Sequence, residues 1–187
     1  ATSTAMVIVN TVVLVQGLLG RPQTDVALLL AAYGAGSMVV ALGLPKVLDR
    51  IRDLKVMLAG AIALPVGLVA AAIFIGMPAS TGTWGALIAT WFYLGAATSL
   101  LLTPSARLLR RASDVGTRPA VFAAQFSLSH ACFIITYPLA GTLGALLGLP
   151  AVALVLAAIG TAAAALAWLG ARRASSPAGS ELAQSGA

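Results

Sequence analysis

Long apolar runs alternate with short polar breaks along the whole chain. Six runs stand out, at about 4–19, 25–44, 56–77, 84–102, 119–147 and 151–168. A helix needs roughly 20 apolar residues to cross the hydrocarbon core of a bilayer, so each run is expected to be a membrane-spanning helix. The fifth is long enough to tilt or to begin outside the membrane. The breaks are rich in residues that interrupt helices: "GRPQTD" after the first run, "MPASTGT" after the third, "TPS" at the end of the fourth and "GLP" before the sixth. The pattern predicts one six-helix transmembrane bundle over 1–170. The remaining stretch, "ARRASSPAGSELAQSGA" at 171–187, is small, polar and Pro/Gly-containing, and is expected to be a disordered tail.

Polar residues are spread unevenly over these spans. The third contains no polar side chain and the sixth only Thr161, so these two are expected to face lipid. The first carries Asn10 and Gln16, and the second Tyr33 and Ser37. The fourth carries Thr90, Trp91, Tyr93, Thr98 and Ser99; the fifth carries Gln125, Ser127, Ser129, His130, Thr136 and Tyr137. Unpaired polar groups in hydrocarbon are costly, so these four helices need a protein interior or a wet cavity. Two polar-bearing spans followed by an apolar one, twice over, would appear in a 3+3 inverted repeat, because three spans turn the second unit upside down.

Composition agrees with the run pattern. The 187 residues are 60% hydrophobic and 9% charged, far below the roughly 25% charged of a soluble domain. A net charge of +6 would suggest nucleic acid on a soluble basic surface, but almost no soluble domain exists here to carry one. The single Cys132 lies in an apolar run, where it excludes an intrachain disulfide and reads as a small core residue. The opening "ATSTAMVIVN" has neither an initiator Met nor a basic signal region, and is expected to be a boundary within a longer chain.

The placement of charge says more than its sum. With six spans, Lys46, Arg50, Arg52, Lys55, Arg107, Arg110, Arg111, Arg118, Arg172 and Arg173 fall on one side of the membrane, and only Arg21 on the other. Cytoplasmic loops collect Lys and Arg, which places both ends and the basic loops in the cytoplasm. The densest cluster lies in "GLPKVLDRIRDLKVM", where six of the sixteen charged residues occupy ten positions. A charge at a helix centre costs about 2.5–3.5 kcal/mol, so these residues are expected in a loop.

Within the membrane the most distinctive group is His130, the only histidine, in the fifth span. At helical spacing it shares a face with Phe122, Phe126, Phe133 and Tyr137. Two readings stay open. Such a face suits a flat apolar or cationic ligand, with the imidazole exchanging a proton. Equally, a neutral histidine can bond within the bundle while the rings pack on neighbouring helices. Gln125 and Ser129 lie on the adjacent stripe, and Asn10 with Gln16 would extend a polar patch across a cavity; each also suits an interhelical hydrogen bond of about 0.6 kcal/mol. No Asp or Glu lies well inside a span. Gly34, Gly36, Gly141, Gly144 and Gly148 are expected to allow close helix contact, and Pro65 and Pro138 to bend their helices.

Enzyme chemistry is weakly represented. "GAGS" at 34–37 together with His130 faintly suggests an intramembrane serine protease, but the glycine spacing is wrong for the usual nucleophile turn. There is no metal-ligand cluster, phosphate-binding loop or carboxylate pair in a span, so no metal and no cofactor are expected. A rival to any transporter reading is a complete six-helix permease or scaffold subunit of a multi-subunit membrane complex.

Several segments carry a family likeness: "VNTVVLVQ" in the first span, "TDVALLLAAYGAGSM" in the second, the "LDRIRDLKVM" loop, and "LLLTPSARLLRR" closing the fourth. Over about 4–168 the chain resembles the C-terminal six-helix half of a twelve-helix major facilitator superfamily transporter, of the drug or small-solute exporter kind. That family joins its second and third helices by a Gly-x-x-x-Asp-Arg-x-Gly-basic-basic loop. Asp49 and Arg50 match the Asp-Arg pair and Lys55 a trailing base, whereas Pro45 and Arg52 replace the two glycines. The resemblance implies an alternating-access, secondary active carrier working by efflux or antiport in a bacterial inner membrane. Its partners would be lipid, an N-terminal six-helix half and a small-molecule substrate, with protons as a candidate coupling ion. It further implies that the first, second, fourth and fifth helices line the cavity, presenting Asn10, Gln16, Tyr33, Ser37, Trp91, Tyr93, Gln125, Phe126, Ser129, His130, Phe133 and Tyr137. Asp49, Arg50, Arg52 and Lys55 would form a cytoplasmic gating loop that latches onto the other half.

Overall fold

The computed structural model describes residues 1–174, and among them it contains helices and no strand. Helix α1 (Thr2–Val12) continues as a π-helical turn at Val13–Leu18. There follow α2 (Gln23–Leu48), α3 (Asp53–Gly76), α4 (Thr81–Arg111), α5 (Arg118–Leu147) and α6 (Leu149–Ala174). Helices α2 to α6 are long and apolar enough to cross a membrane, while the Thr2–Leu18 segment is a shorter apolar helix. The order of the six expected spans is therefore kept, with the first falling short. The expected tail lies outside the described residues from 175 onward.

Local chemistry explains most helix ends. Ser80 caps α4, its Oγ accepting the Thr83 N–H at 3.1 Å. Pro119 sits in the first turn of α5, where no intrahelical donor is needed. Gly148, at φ +84°, ends α5 and reverses the chain into α6 with no other connecting residue. The first connection opens with the wide π turn, in which the Leu19 N–H reaches the Leu14 carbonyl at 2.9 Å, and closes at Gly20 with φ +60°.

One expected break is absent: α4 runs through Pro104 as far as Arg111, and α2 likewise continues through Pro45, past the expected end of its run at Leu44. The charged loop thus shrinks to 49–52, with Lys46 still on α2, and Asp53 and Lys55 in the first turn of α3. A proline removes one helical donor and kinks the helix without having to end it. Beyond Pro104 the added turns bring Arg107 and Arg111 to the acids of the loop, which offsets part of the cost.

Helix α4 is the hub, packed against α2 on one side and α3 on the other. Helix α3 also packs on α6, and α1 packs on α5 and α6. Met6, Leu14, Leu29, Leu68, Trp91 and Leu156 are fully buried at these contacts. The apolar α3 faces outward along Ile62, Val66, Val69 and Ile73; Gly60, Gly67, Leu68 and Ala71 are buried on the opposite side. The α2–α4 crossing is closest: an added Cβ at Gly36 would lie 1.9 Å from the Phe92 carbonyl oxygen, and one at Gly95 lies 1.9 Å from that of Tyr33. Helix α5 is the least covered, with Thr136 and Ala140 its buried residues.

Candidate functional site

The open face of α5 carries a continuous ladder of rings. The rings of Phe126 and His130 stack with centroids 3.8 Å apart, His130 meets Phe133 edge-on at 5.5 Å, and Phe133 meets Tyr137 at 5.0 Å. Nδ1 of His130 lies 2.8 Å from the Phe126 carbonyl oxygen. A carbonyl can only accept, so Nδ1 is the donor of this bond. Phe126 is 63% exposed. Beside the ladder, Gln125 Nε2 donates to Ser129 Oγ at 3.3 Å. The face thus offers a row of four rings, one of them an imidazole, and one amide within about three turns.

A second group lies at the α2–α4 seam. The Tyr33 hydroxyl donates to Thr98 Oγ1 at 3.1 Å, and Thr98 in turn donates to the Leu94 carbonyl at 2.8 Å. Ser99 Oγ donates to the Ser37 carbonyl at 2.8 Å, leaving Ser37 Oγ to donate to Ser99 Oγ, also at 2.8 Å. These hydroxyls satisfy one another across the glycine contact. Tyr93 points the other way, its ring edge against Gly67 of α3.

The remaining polar side chains of the first and fourth spans are engaged in separate places. Trp91 is fully buried and its Nε1 donates to Thr11 Oγ1 at 2.9 Å, while Thr11 donates to the Val7 carbonyl. Asn10 is buried too, with Nδ2 3.4 Å from the Ala140 carbonyl oxygen of α5 and its side-chain oxygen against Gly144. Gln16 is exposed and donates to Gln23 at 2.6 Å. The structure therefore joins Phe126, His130, Phe133 and Tyr137 into one array and keeps Asn10 and Gln16 apart from each other.

At the basic end of the bundle, the loop acids turn toward α4. Asp53 is buried; its Oδ2 accepts from Arg111 Nη1 at 3.0 Å, and its Oδ1 lies 3.9 Å from Arg107 Nε. Asp49 is exposed and 3.4 Å from Arg107 Nη2. Arg50, Arg52 and Lys55 are exposed. Sequence reasoning missed Asp53, Arg107 and Arg111 as partners. The available signal was spacing, since the arginines at 107 and 111 sit one helical turn apart and the acids at 49 and 53 have the same four-residue separation. At the other end, Arg21 donates to Asp25 at 2.6 Å and its guanidinium carbon lies 4.1 Å from the Trp84 ring centroid.

Among the described residues there is no group of three His, Cys, Asp or Glu side chains that could hold a metal. Comparison with curated proteins and with solved structures gives no match. A family model described as Major Facilitator Superfamily does match, over residues 1–186. Spanning nearly the whole of a chain of apolar helices, that match places this protein in the Major Facilitator Superfamily, a family of membrane transporters of small solutes rather than enzymes.

Proposed function

We propose that this chain is the C-terminal half of a secondary active exporter, and that the ring ladder on α5 is where it meets a flat, amphipathic solute. The observation that carries the reading is the Phe126–His130–Phe133–Tyr137 array. Its members contact one another while the face stays open. Stacked rings offer a planar or cationic solute attraction of about 0.5–2 kcal/mol per contact. The second ring nitrogen of His130 offers it a polar contact, and an imidazole can exchange a proton there. One residue can in this way link solute contact to a proton.

The helix pairing supports a 3+3 inverted repeat. A twofold exchange of α1 with α4, α2 with α5, and α3 with α6 turns the α2–α4 contact into α5–α1 and the α3–α4 contact into α6–α1, and maps α3–α6 onto itself. All of these pairs are in contact. With the basic side in the cytoplasm, the 49–52 turn faces inward. Asp53, buried between Arg107 and Arg111, then anchors the turn to α4. The exposed Asp49–Arg107 pair, of a kind worth about 0.2–1 kcal/mol, can open as the halves of the transporter rock by alternating access and let Asp49 latch onto the other half.

The test is transport of ethidium by the full-length protein in vesicles carrying a pH gradient. Phe126→Ala is expected to raise the half-saturating ethidium concentration about 3- to 10-fold, and His130→Gln to flatten the dependence of rate on pH. Wild-type affinity in the first and a wild-type pH profile in the second would leave the ladder a packing feature only.

A further inference from the structure

Where α2 and α3 diverge from the 49–52 turn they leave an open apolar groove of about 460 Å³. Its walls are Val39, Leu44 and Val47 of α2 and Val56 and Ala59 of α3, with Leu100 of α4 as the floor. The groove is open at the side: Val39 is 61% exposed, and an added Cβ at Gly43 would meet nothing within 4 Å. Lys55 forms its charged end. A depression formed by Lys46, Asp49 and Arg50 adjoins it and shares Val47 and Ile51 with it.

Charge sorting at this end is one-sided. Asp49 and Asp53 are both engaged by arginines of α4. Among the described residues no ion pair engages Lys46, Arg50 or Lys55. The loop's acids are spent on α4 and its bases remain beside an apolar channel. A ligand that complements both features has an anionic head and a long hydrocarbon tail. Long basic side chains at a helix end reach toward the headgroup layer while their stems cover apolar surface, and anionic lipids attract such clusters.

We propose that the α2–α3 groove binds one anionic phospholipid in the leaflet on the side of the 49–52 turn. An acyl chain lies along Val39, Leu44, Val56 and Leu100, and the phosphate is held by Lys55 with Lys46 and Arg50. The site is independent of the ring ladder, which lies on α5.

Native mass spectrometry of the full protein, given equal amounts of dioleoylphosphatidylglycerol and dioleoylphosphatidylcholine, tests the site without any transport assay. The wild type is expected to retain one phosphatidylglycerol in preference to phosphatidylcholine. Lys55→Gln should lower phosphatidylglycerol retention about fivefold, and Arg110→Gln, at an exposed base on α4 away from the groove, should leave it unchanged. Gly43→Phe, which fills the groove from an unobstructed position, should lower retention of both lipids. Equal retention of the two lipids by the wild type, an equal effect of Lys55→Gln and Arg110→Gln, or undiminished phosphatidylglycerol on Gly43→Phe would each overturn the proposal. The last result would mean that something other than lipid covers this face.

Discussion

Asp53 is a buried carboxylate whose partners arrive from far along the chain, on the last turns of α4. Removing a carboxylate from water costs several kcal/mol unless the charge is paired and hydrogen-bonded. Here one strong bond to Arg111 and a longer approach from Arg107 pair the charge, while Oδ1 is left without a hydrogen bond. The asymmetry predicts an order of effects. Arg111→Met leaves Asp53 buried with only the 3.9 Å contact to Arg107, and should cost about 1–2 kcal/mol, discounted because Arg111 is itself 59% exposed. Asp53→Asn keeps the shape and an acceptor, and should cost about 1 kcal/mol. Asp49→Asn breaks only an exposed pair and should cost less than about 0.5 kcal/mol. Thermal unfolding in detergent, followed by tryptophan fluorescence, measures all three; three equal shifts would deny the buried pair its anchoring role. The family resemblance picked out Asp49 and Arg50 from sequence, but not their surroundings. Motif spacing identifies charged residues, and which helix end they meet depends on how far α4 continues past Pro104.

Contact between α2 and α4 depends on two glycines that face each other's backbone. A methyl at Gly36 or Gly95 would collide with a carbonyl oxygen, which cannot rotate away as a side chain can. Gly36→Ala and Gly95→Ala should therefore each force the helices apart, at about 1–3 kcal/mol or more, and disturb the Ser37–Ser99 and Tyr33–Thr98 bonds that the close approach permits. Gly34→Ala, where a Cβ meets nothing within 4 Å, should be neutral or slightly stabilising through helix propensity. The same melting experiment separates these variants, and a Gly36→Ala protein as stable as wild type would refute the close crossing. Sequence could show that small residues cluster near 34–37. It could not say which of Gly34 and Gly36 turns inward, because these helices are apolar on every side and lack the one-sided stripe that orients a helix in a soluble protein. For the same reason the apolar third span could be expected to face lipid without showing which of its sides does: α3 keeps Ile62, Val66 and Ile73 exposed and buries the other face between α4 and α6. The ring ladder from Phe126 to Tyr137, by contrast, follows from helical spacing on α5, although Phe122, expected on the same face, makes no ring contact among the described residues.

At the scale of the whole molecule, run lengths gave the number and order of helices because only a helix of sufficient apolar length satisfies its own backbone inside a bilayer. They gave the ends less well, since Pro104, expected to stop a helix, is absorbed within α4, and α2 runs on through Pro45. Orientation rests on a separate physical argument, the side on which ten of the eleven basic residues fall. The two arguments are testable together. In a Cys132→Ser background, single cysteines at Ile51, between α2 and α3, and at Gly116, between α4 and α5, should react with a membrane-impermeant maleimide only in inside-out vesicles. A cysteine at Ala79, between α3 and α4, should react only in right-side-out vesicles. All three positions are exposed, and Gly116 has nothing within 4 Å of an added Cβ, so labelling reports sidedness rather than burial. Reaction of Ala79→Cys and Gly116→Cys from the same side would mean that α4 does not cross, which would remove the bundle's hub. Opposite reactivity with the two sides exchanged would keep the bundle and reverse its orientation, moving the Asp49–Asp53 cluster to the outer face and ending its reading as an inner latch.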